Sequence, residues 1–224
     1  MSKFILFFLS LILFFSCEKK DKKINETSID STSLEIPPPP NTYNEFPSPQ
    51  ERLEKWVDYY KSKEADFKLE NFQKVDTFKV FNQPATAIPS FSSKFDQRYQ
   101  TFLTYNADSS KYVDIDSYLL RFSDNGKVDY NTDQEIVLVD LNQKKAHRIL
   151  FYGPSFWVED AFFKNDSTLM LLENNNDRVP GYQEINLNTM ISTAYTYKDT
   201  LSFDSKYYSA RVHQILNKNQ KIIP

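Results

Sequence analysis

The chain has 224 residues and a formal net charge of −3 at pH 7, from 27 Lys and Arg against 30 Asp and Glu. This balance lacks the basic excess that binds nucleic acid, so we expect no nucleic-acid partner. Aromatic residues make up 16% of the chain, enough to fill a sizeable core, and a single cysteine excludes an intramolecular disulfide.

The first 16 residues have the layout of a secretory signal peptide. Lys3 supplies a positive charge, an apolar run with one serine extends from Phe4 to Phe15, and charged residues begin directly after Cys17. The run is shorter than the ~20 residues of a membrane-spanning helix and fits the ~7–15 residues of a signal-peptide core. A processed signal is therefore favoured over an uncleaved anchor helix in which the cysteine is incidental.

The sequence Phe14-Phe15-Ser16-Cys17 resembles the lipobox of bacterial lipoproteins. In that family the cysteine is acylated and the peptide bond before it is cut. The resemblance implies that residues 1–16 are the signal peptide and that Cys17 is the lipidated mature N-terminus. It also implies anchoring to membrane lipid in the cell envelope, where we expect the outer membrane. The covalent lipid would be the only attached group, and the resemblance implies nothing about the folded domain.

Residues 17–47 combine the lipidated cysteine with a predicted disordered tether. The tether is rich in Lys, Asp, Ser, Thr, Asn and Pro, and its few aliphatic residues follow no period. Four consecutive prolines, residues 37–40, favour polyproline II and stiffen its middle.

The folded part is predicted to begin at Ser48 with an amphipathic helix. Ser48-Pro49-Gln50-Glu51 is a capping-box sequence with proline at the first helical position. Apolar residues follow at helical spacing, namely Leu53, Trp56, Val57 and Tyr60. The helix should therefore run to about Lys63 and pack across a sheet, with Trp56 as a core anchor rather than a ligand-stacking residue.

Most of the remaining chain has the pattern of short strands. One or two are expected around residues 72–80, followed by a long loop over 82–96. The later predicted strands are 101–105, 112–122, 135–141, 147–152, 157–163, 169–172, 182–187 and 191–197. The 135–141 run is apolar through its middle and should be buried on both faces. Asp124-Asn125-Gly126 predicts a tight turn, and residues 210–216 fit either a strand or a short helix.

Two similar segments suggest a partial repeat. Val139-Asp140-Leu141-Asn142 and Ile185-Asn186-Leu187-Asn188 lie 46 residues apart (188 − 142). This spacing is similar to that of generic β-propeller blades, but the folded region is too short for the ~4 blades of ~40 residues that close a propeller. We therefore predict a mainly β domain over 48–224, an antiparallel meander or sandwich with propeller-blade-like hairpins and one packed N-terminal α-helix.

The segment 129–140 has the order of oxygen-bearing residues found in a calcium loop. Asp129, Asn131, Asp133 and Asp140 occupy positions one, three, five and twelve. The sixth position requires glycine but carries Gln134, and neither flank reads as a helix. A calcium-stabilised adhesion module is therefore an alternative, and a polar hairpin loop before a buried strand is the plainer interpretation.

Paired acids are the other candidates for chemistry. Asp114 and Asp116 alternate along the predicted strand 112–122, a spacing that suits acid–base work or metal binding but usually marks the solvent side. Glu159 and Asp160 would point to opposite faces of an extended strand. The sequence has no zinc spacing, nucleophile elbow or glycine-rich phosphate loop. A carboxylate-dependent envelope hydrolase is thus an alternative to the preferred reading, a binding module that is not an enzyme.

The most distinctive loop is Gly153-Pro154-Ser155-Phe156-Trp157. An aromatic pair beside a Gly-Pro turn is suited to a protein or glycan partner, since tryptophan is enriched in binding hot spots. We expect at least one of the two rings to pack in the core. Phe156 and Trp157 are therefore the candidate binding residues of a membrane-anchored, non-catalytic module.

Overall fold

The computed structural model describes residues 47–123 and 127–220. The predicted signal peptide, Cys17, nearly all of the tether and the turn at 124–126 lie outside these ranges. None of the helices in the described part of the chain is long and apolar enough to cross a membrane.

The described chain forms three antiparallel sheets and two α-helices. The helices are α1 (Pro49–Lys61) and α2 (Tyr207–Gln220), and two short 3-10 helices cover Leu69–Asn71 and Gln97–Phe102. The strands are β1 (Phe72–Lys79), β2 (Gln83–Pro84), β3 (Thr104–Tyr105), β4 (Lys111–Asp114), β5 (Leu120–Phe122), β6 (Val128–Tyr130), β7 (Gln134–Asp140), β8 (Lys145–Tyr152), β9 (Phe156–Asn165), β10 (Thr168–Asn175), β11 (Gly181–Asn186) and β12 (Ile191–Tyr197). The first sheet has the order β1-β12-β11-β10-β9, the second β2-β8-β7-β4-β3, and β5-β6 is a separate hairpin.

Helix α1 forms as its local sequence predicts. The Ser48 N–H donates to Glu51 Oε2 at 2.6 Å, and the Glu51 N–H donates to Ser48 Oγ at 3.2 Å, which completes the capping box. The helix ends at Lys61, two residues before the predicted end. Trp56 and Tyr60 are fully buried on the outer face of the first sheet, so the prediction of Trp56 as a core anchor is confirmed.

The two large sheets pack face to face as a sandwich. Ile136 and Ile149 of the second sheet meet Ala161, Leu171 and Ile185 of the first in one buried cluster. On the outer face of the second sheet, β7 packs against the loop that follows β2, so β7 is buried on both sides, as expected. The prediction of a mainly β, antiparallel domain with a packed N-terminal helix is confirmed.

Two predicted strands are interrupted by turns that side chains stabilise. Of the predicted strand 101–105, only Thr104 and Tyr105 form a strand, because its first two residues end the 3-10 helix Gln97–Phe102. That helix begins where Asp96 Oδ1 accepts the Arg98 N–H at 3.0 Å. The predicted strand 112–122 breaks after Asp114, because Asp114 Oδ1 accepts the N–H groups of Asp116 and Ser117 at 3.0 and 2.9 Å.

Residues 210–216, for which the sequence allowed either a strand or a short helix, lie in the helix α2. Its residues Tyr208 and Val212 lie four positions apart, on one helical face, and both are buried against the β5 region. This packing places the start of α2 beside the start of β9, where the candidate site lies.

Candidate functional site

Two adjoining depressions form one groove at the start of β9. The first has a volume of about 300 Å³ and is lined by the side chains Leu119, Tyr130, Asn131, Thr132, Gln134, Pro154, Phe156, Trp157, Ser205, Lys206, Tyr208 and Ser209. The second has about 370 Å³ and is lined by Trp157, Asn175, Asn176, Arg178, Asp204, Ser205 and Lys206. We call them the aromatic and the polar depression. Since they share Trp157, Ser205 and Lys206, we treat them together as the Trp157 groove.

The aromatic depression exposes rings that the rest of the fold does not cover. Phe156 is 51% exposed and Tyr130 is 41% exposed, although both are large apolar side chains. Trp157 is only partly exposed, because it packs against the cluster formed by α2 and the β5 region. Exposed apolar surface gathered around a depression is typical of a binding site. The structure thus brings the predicted pair, Phe156 and Trp157, into one groove.

A β-bulge fixes the start of β9. Val158 and Ala161 both face the interior of the sandwich although they are three residues apart. This is possible because Val158 pairs with Glu173 and Asp160 pairs with Leu172, which leaves Glu159 as an extra residue. Glu159 and Asp160 consequently both reach α1, and the expectation that they point to opposite faces is wrong.

The carboxylate of Glu159 lies directly behind the groove wall. Glu159 is fully buried, and its Oε2 accepts hydrogen bonds from Trp56 Nε1 at 2.8 Å and from the Tyr60 hydroxyl at 2.6 Å. Its Oε1 accepts a hydrogen bond from the hydroxyl of Ser205, which lines both depressions. Burial raises the pKa of Glu159, and the three donors partly oppose this shift. The network holds Ser205 in place and joins the groove to α1.

Asp114 and Asp116 are buried, so the expectation that they face solvent is wrong. The strand ends at Asp114, and the following turn carries Asp116 into the interior. There, Asp116 Oδ1 accepts hydrogen bonds from the Tyr208 hydroxyl at 2.8 Å and from Arg211 Nη2 at 2.6 Å. Arg211 Nε also donates to the Glu159 carbonyl at 2.8 Å. These contacts dock α2 onto the domain, and burial raises the pKa of Asp114.

The candidate calcium ligands do not converge. Asp129 lies on β6 and Asp133 directly before β7, whereas Asp140 is the last residue of β7. Seven residues of extended strand separate the last two by roughly 20 Å. The side-chain amide of Asn131 donates to the Tyr118 carbonyl at 2.5 Å. Within residues 47–123 and 127–220, no group of three or more His, Cys, Asp or Glu could hold a metal ion.

Several groove residues were not singled out by the sequence. Ser205 and Lys206 precede α2, and Arg178 lies in the loop between β10 and β11, so none of them is near Trp157 in the chain. Asn131 was selected as a metal ligand and instead lines the aromatic depression. No motif joins these positions, because the packing of α2 against β9 and the pairing of β10 with β9 bring them together.

Comparison of the chain with family models, with curated proteins and with solved structures gave no match.

Proposed function

We propose that this chain is a lipid-anchored protein of the bacterial cell envelope whose β-rich domain binds a ligand in the Trp157 groove without transforming it. In this proposal an acylated Cys17 attaches the mature chain to the outer membrane, and residues 18–47 form the tether.

The exposed aromatic rim of the groove carries the proposal for binding. Phe156 and Tyr130 leave about half of their side-chain surface open, at 51% and 41%, on the wall of a depression of about 300 Å³. Exposed rings in a concave site supply contact area at low entropic cost. Because the Glu159 network and the start of α2 hold the wall, the site is largely pre-formed, which reduces the cost of ordering it on binding.

The distribution of acids supports binding rather than hydrolysis. None of the residues that line the aromatic depression, all within the described ranges, is Asp or Glu. Among the described residues that line the polar depression, Asp204 is the one acid. Acid-catalysed glycoside cleavage uses two carboxyl groups roughly 5–10 Å apart across the substrate. The buried Glu159 and Asp116 are committed to Trp56, Tyr60, Ser205, Tyr208 and Arg211.

The anchor is tested by expressing the wild-type chain and Cys17→Ala in a bacterium supplied with labelled palmitate. We expect label on the wild type alone, wild-type protein in the outer-membrane fraction, and Cys17→Ala with an unprocessed signal. Equal fractionation and processing of both proteins, or an unlabelled wild type, would contradict the lipid anchor.

Binding is tested with the full-length protein purified in detergent and a panel of peptidoglycan fragments, envelope polysaccharides and peptides. We expect at least one panel member to raise the melting temperature of the wild type and to be recovered chemically unchanged. Trp157→Ala and Phe156→Ala should abolish the shift. Phe81→Ala, which removes a 63% exposed ring outside both depressions, should preserve it. Turnover of a panel member, or a shift insensitive to both groove variants, would refute the proposal.

A further inference from the structure

The polar depression carries two cations that are not paired with any residue in the described part of the chain. Arg178 and Lys206 have no ion-pair or hydrogen-bond partner for their side-chain nitrogens among the described residues, and Asp204 is the one acid beside them. The depression therefore has a local excess of one positive charge. A ligand that carries an anionic group would complement this excess.

The backbone around Arg178 is held in a defined conformation. Arg178 has a positive φ of 59°, which costs a non-glycine residue free energy, and such positions are retained where the surroundings fix them. The Arg178 N–H donates to the Asn175 carbonyl at 3.0 Å, and the Arg178 carbonyl accepts from the Leu201 N–H at 2.9 Å. The Val179 N–H also donates to Asn175 Oδ1 at 3.1 Å. The loop therefore presents the guanidinium from a fixed base.

The sheet edge beside the groove is closed to an added peptide strand. Strand β9 is an edge strand, but Gln134 bonds both peptide groups of Val158: its Oε1 accepts the N–H at 2.7 Å and its Nε2 donates to the carbonyl at 3.1 Å. Arg211 Nε likewise donates a hydrogen bond to the Glu159 carbonyl at 2.8 Å. A peptide that docks by strand addition needs free backbone groups at this edge. The groove therefore does not favour an extended peptide.

Aromatic rings beside amides and unpaired cations suit an acidic sugar. Sugar rings have apolar C–H faces that pack on aromatic rings and hydroxyl groups that bond to amides. The aromatic depression supplies Trp157 and Phe156, and the polar depression supplies Asn175 and Asn176 together with the cations. Resting on the proposed function of the groove, we infer that its ligand is an acidic saccharide. One sugar ring packs on Trp157 and Phe156, and an anionic group on the same chain pairs with Arg178 and Lys206.

The test measures binding of short oligogalacturonates and of neutral cello-oligosaccharides of equal length to the full-length protein by calorimetry in detergent. We expect the acidic oligomer to bind about tenfold more tightly and its affinity to fall with added salt. Arg178→Ala and Lys206→Ala should each remove most of that preference, because each lowers the affinity for the acidic oligomer more than the affinity for the neutral one. Lys74→Ala is the matched control, because β1 lies at the opposite edge of the first sheet, roughly 19 Å from β9.

The possible outcomes separate this inference from the proposed function. Equal affinity for both oligomers, no change in Arg178→Ala and Lys206→Ala, or no binding of either oligomer would overturn the acidic saccharide. Displacement of the oligogalacturonate by inorganic phosphate, together with an unchanged affinity in Trp157→Ala, would show that the polar depression binds a free anion. This result would also overturn the acidic saccharide. In each case the proposed function of the groove would stand if a peptide or another panel member still bound in a way that depends on Trp157 and Phe156.

Discussion

The carboxylate of Glu173 makes the stability of the sandwich depend on pH. Its Oε1 accepts hydrogen bonds from the Tyr152 hydroxyl at 2.5 Å and from Gln183 Nε2 at 2.8 Å. Tyr152 belongs to the second sheet and the other two residues to the first, so this cluster joins the sheets. Burial raises the pKa of Glu173 from the usual 4.5 to about 7. The folded state therefore holds this proton more tightly than the unfolded state.

The sign and size of the effect follow from proton linkage. Because the folded pKa lies above the unfolded one, the contribution of Glu173 is complete below pH 4.5 and is lost as the pH rises through about 7. A shift from 4.5 to about 7 corresponds to an upper limit of ~3 kcal/mol, at ~1.4 kcal/mol for each pH unit. Glu173 retains some contact with water, which screens the charge, so we expect ~1–2 kcal/mol.

Glu173→Gln removes the charge and keeps an oxygen that accepts from Tyr152 and Gln183. We expect the variant to match the wild type at pH 4.5 and to exceed its free energy of unfolding by ~1–2 kcal/mol at pH 8. The assay is urea unfolding of the full-length protein in detergent, followed by circular dichroism at both pH values. The measurement at pH 4.5 is the internal control for changes in packing. A difference that is the same at both pH values would contradict this prediction, because it could not come from ionisation of the Glu173 side chain.

Two further predictions concern local hydrogen bonds. Ser48→Ala removes the capping box of α1 and should lower the free energy of unfolding by ~1 kcal/mol, whereas Ser48→Asp should keep most of the wild-type stability. Equal stability of Ser48→Ala and the wild type in urea unfolding would contradict the role of the cap. Gln134→Leu strands the N–H and carbonyl of Val158 and the carbonyl of Ile115, so we expect a loss of ~2–4 kcal/mol in the same assay. Faster hydrogen exchange of the Val158 amide should accompany that loss, and unchanged protection there would show that Gln134 does not cover the edge of β9.

Local sequence determined the elements whose hydrogen bonds and burial are local. The Ser48 capping box and the helical spacing of Trp56 and Tyr60 predicted α1, since both lie within a few turns of one helix. The strands 157–163, 169–172, 182–187 and 191–197 were predicted as short β-rich runs, and they form the core of the hairpins β9-β10 and β11-β12. The uniform apolar run in β7 likewise predicted a strand covered on both sides.

Turns that are stabilised by side-chain hydrogen bonds were not predicted from the local sequence. The local pattern predicts a continuous strand through Asp114, but its carboxylate accepts the N–H groups of Asp116 and Ser117 and turns the chain inward. The segment Asp129–Asp140 matches a calcium loop only in its sequence, since the extended strand β7 holds Asp133 and Asp140 far apart. The same oxygen spacing binds an ion only when the backbone closes around it.

The groove was decided by tertiary structure. Phe156 and Trp157 could be selected as neighbours in the chain. Lys206 reaches Trp157 because α2 docks through Arg211, and Arg178 reaches it because β10 pairs with β9. The bulge at Glu159, which orients the start of β9, arises from the pairing with β10 and leaves no mark in the local pattern. Spacing along the chain records contacts within one helix or hairpin, and a site built from five separate segments depends on how those elements pack.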